Sequence, residues 1–90
     1  MASTPFPLTK TPKAGPDYTA ASDIDVMLVN PYERASALIR FARTTNDTQP
    51  ALDPRLWTPI KPLERVPFTL LLGERLWFIG PDGLFAMLES

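Results

Sequence analysis

The last third of the chain contains three short segments that are apolar at nearly every position and are separated by turn residues. Residues 68–72, 75–79 and 84–88 are rich in leucine, aromatic and β-branched side chains, which is typical of strands. A Gly-Glu pair separates the first two segments and Gly-Pro-Asp-Gly separates the next two; both sequences favour tight turns. The pattern therefore predicts a C-terminal three-stranded antiparallel β-meander.

Residues 31–43 show the spacing of an amphipathic helix. Apolar side chains between Ala35 and Ala42 recur every three or four positions, which places them on one helical face. Asn30 suits the N-cap and Pro31 suits the first helical position. One short helix is therefore predicted here.

Residues 24–29 allow two interpretations. Their β-branched residues, such as Ile24 and Val26, favour a strand. Ser22 followed by Asp25 also fits a capping box at the start of a short helix. The strand is preferred because of the β-branched content.

Proline shapes the rest of the chain, which has eleven prolines and only four glycines. Residues 1–22 are predicted to form an extended Pro-rich arm, since proline removes the donors that a helix needs. Residues 44–67 are predicted to form a Pro-rich loop that is too apolar to remain solvated. The predicted fold class is α+β: one short helix packed with the three-stranded meander in a small domain, residues 23–90, after the extended arm.

Composition narrows the possible functions. Ninety residues make one domain, and the chain lacks both cysteine and histidine, so we expect no disulfide, no metal site and no cofactor. A net charge of −1 gives no field that would attract nucleic acid. No segment has the pattern of a signal peptide or of a membrane span. The expected location is the cytoplasm, or a particle such as a virion that is assembled there.

Candidate catalytic groups are few. Asp23 and Asp25 would share one face of a strand, and two close carboxylates can bind a cation. No third acidic residue lies at a suitable spacing from this pair, and the sequence has no glycine-rich phosphate loop, so a polar strand edge explains the pair better. We expect no catalytic residues, no small-molecule substrate and no enzyme activity.

Two other motifs are weak. Pro59 and Pro62 have the PxxP spacing of a polyproline ligand, but the basic residue that such ligands carry is displaced by one position. Arg34, Arg40 and Arg43 would scatter around the predicted helix, as expected for a solvated face and not for nucleic-acid contact.

The predicted sheet has more apolar surface than one helix can cover. In residues 75–79 both faces are apolar, so the second face must be covered by the Pro-rich loop, by another copy or by a partner. Aromatic residues concentrate binding energy at interfaces. The side chains predicted to contact another protein are Phe6, Leu8, Tyr18, Phe41, Trp57, Trp77, Phe78 and Phe85.

These features predict a protein that binds other protein subunits, as a homo-oligomer or a hetero-oligomer, and neither membrane nor nucleic acid. The functional hypothesis is a structural subunit of a larger assembly, such as a capsid decoration protein or a head–tail connector of a virion. The alternative hypothesis is an adaptor or inhibitor module that binds a single partner.

Overall fold

The computed structural model describes residues 3–89, except for the side chain of Phe68. These residues form two four-stranded antiparallel sheets, and no α-helix occurs among them. The strands are β1 (Ser3–Pro7), β2 (Tyr18–Thr19), β3 (Ile24–Val29), β4 (Ile39–Thr44), β5 (Thr58–Ile60), β6 (Arg65–Leu70), β7 (Arg75–Ile79) and β8 (Phe85–Glu89), and Pro54–Leu56 is a short 3₁₀ turn.

The sheets face each other as a sandwich. Sheet A has the strand order β1-β8-β3-β6, and sheet B has the order β2-β7-β4-β5. Their inner faces meet in one apolar cluster that includes Leu28 and Leu70 from sheet A and Ile39, Ile60 and Phe78 from sheet B, all almost fully buried. Burial of each such side chain contributes about 1.5–3 kcal/mol to folding, so the space between the sheets is the main source of stability.

The predicted α+β fold is wrong, beginning with the helix at residues 31–43. The Asn30 side chain does accept a hydrogen bond from the Tyr32 backbone N–H at 3.1 Å, as an N-cap would. Its amide nitrogen, however, donates to the carbonyls of Ala37 at 2.6 Å and Ile60 at 3.0 Å. Asn30 is fully buried, and these bonds fold residues 31–38 into a loop anchored to β5.

Strand β4 occupies the second half of the predicted helix. It pairs with β7 in an antiparallel register that sets Ala42 opposite Trp77. Ile39 lies in the core between the sheets, while Ala42 lies on the opposite face of sheet B. Residues 39–44 fit a period of two as well as a helical period, and the distant partner β7 decides between them.

The predicted meander is also wrong, although all three of its strands exist. Strands β6 and β8 belong to sheet A with β3 between them, and β7 belongs to sheet B. The turn after β6 leads the chain from sheet A to β7 in sheet B, and the turn after β7 leads it back to β8 in sheet A. Gly73 has a positive φ of 85° in the turn closed by the Glu74 N–H and the Leu71 carbonyl at 2.9 Å, a conformation that favours glycine.

The strand preferred for residues 24–29 is confirmed as β3. Residues 3–22 contribute β1, which pairs with β8, and β2, which pairs with β7. The remaining ends of the predicted arm and domain, residues 1, 2 and 90, lie outside the described residues. The boundary at residue 22 stays a prediction.

Candidate functional site

The outer face of sheet B is covered by the chain itself. Ala42, Trp77 and Ile79 point outward from this sheet, yet each is at most 5% exposed because Trp57 from the β4–β5 loop packs onto them. The Trp57 indole N–H donates to the Ala51 carbonyl of the same loop at 2.9 Å, which fixes the orientation of the indole. Of the three alternative covers that the apolar pattern allowed, the Pro-rich loop is the one found on sheet B. The prediction of a loop over all of residues 44–67 is wrong, because residues 58–60 form β5 and residues 65–67 begin β6.

The outer face of sheet A has a comparable pattern of alternation. Residues paired across antiparallel strands share a face. Along each strand of sheet A, residues that point into the core alternate with residues whose side chains point outward. One outward row crosses all four strands as Pro5, Met87, Val29 and Arg65, and the next crosses as Ser3, Glu89, Met27 and Pro67. Pro7 and Phe85 form a shorter row beside them.

We call this surface the sheet A face. Its apolar members are Pro5, Pro7, Met27, Val29, Pro67, Phe85 and Met87. Phe85 is 43% exposed, the three prolines are exposed and the two methionines are half-buried, whereas Val29 is 8% exposed. The face is thus apolar over most of its width and open to solvent in the described chain.

Polar groups on the sheet A face satisfy one another. Arg65 and Glu89 form an ion pair, and the Thr69 hydroxyl donates to the Asp25 carboxylate at 2.6 Å. Asp25 is the charged residue of this face that forms no ion pair within residues 3–89. The centre of the face is consequently close to electroneutral.

Proline protects the β1 edge of sheet A. The Leu8 N–H donates to the Leu84 carbonyl at 3.0 Å, so even-numbered residues of β1 direct their backbone groups toward β8 and odd-numbered residues direct theirs outward. Pro5 and Pro7 lie at positions whose backbone groups point away from β8, toward the open edge. A proline there costs no hydrogen bond and leaves no donor for another strand.

The β6 edge at the other side of the sheet is protected in the same way. The Asn30 N–H donates to the Glu64 carbonyl at 3.1 Å, which turns even-numbered residues toward β3. The backbone groups of Pro67 and Thr69 therefore point away from β3, toward the open edge. The Thr69 carbonyl accepts a hydrogen bond from Arg43 at 3.3 Å. Both edges of sheet A resist strand addition, so another protein would reach the sheet through its face.

The structure gives most of the predicted interface residues core positions. Leu8 and Phe78 are buried between the sheets, and Phe6, Tyr18 and Phe41 are partly buried against the same core. Trp57 and Trp77 are buried in the second cluster, on the outer face of sheet B. Phe6 stacks on Phe78 with ring centroids 5.4 Å apart. Phe85 is the predicted residue that lies exposed, at the end of the sheet A face. That these side chains contact another protein stays a prediction.

Sequence reasoning missed Met27, Met87 and the prolines of the sheet A face. The alternation in β3 and β8 contained a usable signal, because Met27 and Met87 each lie one position away from a core residue. The signal was incomplete because the pairing of β1 with β8 joins residues about eighty positions apart, and no local pattern reveals that pairing.

The acidic pair has structural partners. The Asp23 carboxylate accepts the Leu72 N–H at 2.7 Å, and Asp25 is bonded to Thr69. Within residues 3–89 no group of three or more acidic side chains is placed to hold a metal ion. The same residues contain no helix of the length and apolar character needed to cross a membrane.

Comparisons with models of protein families, with curated proteins and with solved structures gave no match to this chain. The functional argument consequently depends on the geometry of the two sheets.

Proposed function

We propose that this chain is a non-enzymatic structural subunit of a larger protein assembly, and that its copies meet through the sheet A face. The kind of assembly is that of capsid decoration proteins and head–tail connectors in virions, formed in the cytoplasm. One observation carries the proposal: the outer face of sheet B is covered by Trp57, whereas the equally patterned sheet A face remains open. An exposed contiguous apolar surface marks an interaction site or an aggregation liability.

Charge favours a second copy as the occupant of the sheet A face. The ion pair between Arg65 and Glu89 neutralises the centre of the face, and the whole chain carries a net charge of only −1. Two copies would therefore meet without strong repulsion. The prolines at both edges disfavour side-by-side strand pairing, which leaves face-to-face packing about a two-fold axis.

The size of the sheet A face sets the expected affinity. Four strands about 4.8 Å apart and five or six residues long cover roughly 19 by 18 Å. Two such faces would bury less than the ~1,200 Å² typical of stable specific complexes. A single contact should therefore be weak, with a Kd in the micromolar range or above, and stable assembly would need several contacts per subunit.

Sedimentation equilibrium of the purified chain tests this proposal. We expect reversible self-association of the wild type between about 10 μM and 1 mM, in line with the small interface. Met87→Glu would place an unpaired charge at the centre of the sheet A face and should abolish association while preserving the fold. Leu56→Glu is the matched control, because Leu56 is 51% exposed on the sheet B side, and it should associate like the wild type.

A wild-type chain that stays monomeric throughout this range would contradict the proposal and favour the adaptor or inhibitor alternative. The virion assignment has its own test in mass spectrometry of particles purified from the native source. We expect the chain in those particles at a fixed ratio to the major structural protein. Recovery only in a free complex with one partner would overturn that assignment.

A further inference from the structure

A groove lined by two cationic side chains that form no ion pair within residues 3–89 lies at one end of the outer face of sheet B. It consists of two adjoining cavities of about 240 and 360 Å³, and Lys10, Arg40 and Ile79 line both of them. Trp57 borders the first cavity and Leu38 borders the second. We call this feature the cationic groove.

The two cations are available to a ligand. The Lys10 and Arg40 residues are exposed, and neither side chain forms an ion pair or a hydrogen bond within the described part of the chain. The backbone N–H of Lys10 donates to the Asp82 carboxylate at 3.1 Å, but its ammonium group is not involved in that bond. Arg40 projects from β4 beside Ile79, its cross-strand partner.

The acidic residue in the groove is already compensated. Asp53 accepts hydrogen bonds from the Arg55 guanidinium at 2.8 and 3.2 Å and from the Arg55 backbone N–H at 3.0 Å. The side-chain bonds, and then the backbone bond, lower the pKa of Asp53. The carboxylate therefore stays ionised and paired with Arg55, and it does not neutralise Lys10 or Arg40.

We infer that the cationic groove binds an extended acidic segment of a partner protein. Two carboxylates of the segment would meet Lys10 and Arg40, and an apolar side chain of the segment would pack on Leu52, which lines the first cavity and is 60% exposed. Charge complementarity and this exposed apolar side chain together select the ligand. The inference is independent of the sheet A face, since the groove is on the opposite side of the sandwich.

Nucleic acid fits the groove less well than a peptide does. Binding to a phosphate backbone draws on many cations along a continuous track, and this groove offers two on a chain of net charge −1. Trp57 is only 4% exposed, so its ring face is not free to stack on a base.

The test uses the full chain with isotope-labelled methyl and arginine side-chain groups, followed by NMR during peptide titration. The probe is a short synthetic peptide that alternates glutamate with leucine, and its control replaces each glutamate with glutamine. We expect the acidic peptide to shift the resonances of Ile79, Leu38 and the Arg40 guanidinium. Higher ionic strength should weaken its binding, because both charges in the groove are solvent-exposed.

Two double variants with equal loss of charge identify the site. Lys10→Ala with Arg40→Ala should weaken acidic-peptide binding on the order of tenfold, as expected for loss of two exposed charge contacts. Arg34→Ala with Lys61→Ala removes two exposed cations that do not line the groove and should change affinity by less than about twofold.

Several results would overturn the inference. These are absence of binding at millimolar peptide, equal binding of the glutamine peptide, an unchanged affinity of the groove variant, or shifts confined to the sheet A face. Tighter binding of a short single-stranded DNA than of the peptide would also overturn it, in favour of a nucleic-acid site. None of these results depends on self-association through the sheet A face.

Discussion

The two outer faces of this sandwich have similar patterns of alternating residues, but the face of sheet B is buried and the face of sheet A is exposed to solvent. On sheet B, Trp77 and Ile79 alternate with core residues, as Met27 and Met87 do on sheet A. The β4–β5 loop of sheet B is long enough to fold back and place Trp57 over that face, whereas sheet A has no equivalent cover among residues 3–89. Coverage by the β4–β5 loop, and not strand pattern alone, therefore distinguishes the two faces.

The residue types on the two faces fit this difference. A tryptophan such as Trp77 buries a large area and requires a partner for its indole N–H, which Thr44 supplies at 2.9 Å. Methionine is flexible and adapts to more than one surface. The aromatic face is therefore sealed inside the subunit, and the face that remains exposed carries Met27, Met87 and prolines.

Removing the cover from sheet B should produce the largest effect. Trp57→Ala is expected to lower the free energy of unfolding by about 3–5 kcal/mol, because it removes a buried aromatic ring and exposes Trp77. Urea denaturation followed by circular dichroism measures this change. Binding of a hydrophobic dye should rise at the same time, since the sheet B face would then resemble the sheet A face.

Met87→Ala is the control from the other face. Because Met87 is half-buried on the open face, this substitution should cost less than about 1.5 kcal/mol. If Trp57→Ala cost no more than Met87→Ala, the β4–β5 loop would not be a true cover and the contrast between the faces would fail.

Opening an edge of sheet A should have a smaller effect on stability but a visible effect on association. Pro67→Thr restores an outward N–H on β6 and should change unfolding free energy by less than about 1 kcal/mol. It should also allow strand addition between molecules, detected by sedimentation velocity as species larger than a dimer. Thr69→Val, which raises β propensity without adding a donor, should not form these species.

If Pro67→Thr sedimented like the wild type, edge protection by proline would be refuted. The face-to-face geometry proposed for association would then lose one of its two supports, and strand pairing between copies would become an equal alternative.

Local sequence was sufficient to locate some of the strands but not β1, β2, β4 or β5, and it did not assign strands to sheets. The segments at residues 24–29, 75–79 and 84–88 correspond closely to β3, β7 and β8, because alternation and turn residues act over a few positions. The helix prediction failed because residues 39–44 satisfy two periods at once. The pairings with β5 and with β7, which are distant in sequence, select the strand.

The candidate site was predictable only in part. Phe85 was named from its aromatic character, but aromatic character alone does not separate a core ring such as Phe78 from a surface ring. Burial depends on which face of the strand points inward, and that depends on pairings such as Pro7 with Phe85. The cationic groove could not be predicted from local sequence, because Lys10 and Arg40 are thirty positions apart and come together only in the folded sandwich.

Methionine-methyl NMR tests the central claim most directly. Two of the three methionines, Met27 and Met87, lie on the sheet A face. In a sample that mixes labelled and unlabelled copies near 1 mM, we predict intermolecular NOEs between the Met87 methyl group and the Phe85 ring of a second copy, lost on dilution. Methionine resonances that do not change between about 10 μM and 1 mM, without intermolecular NOEs, would contradict the account.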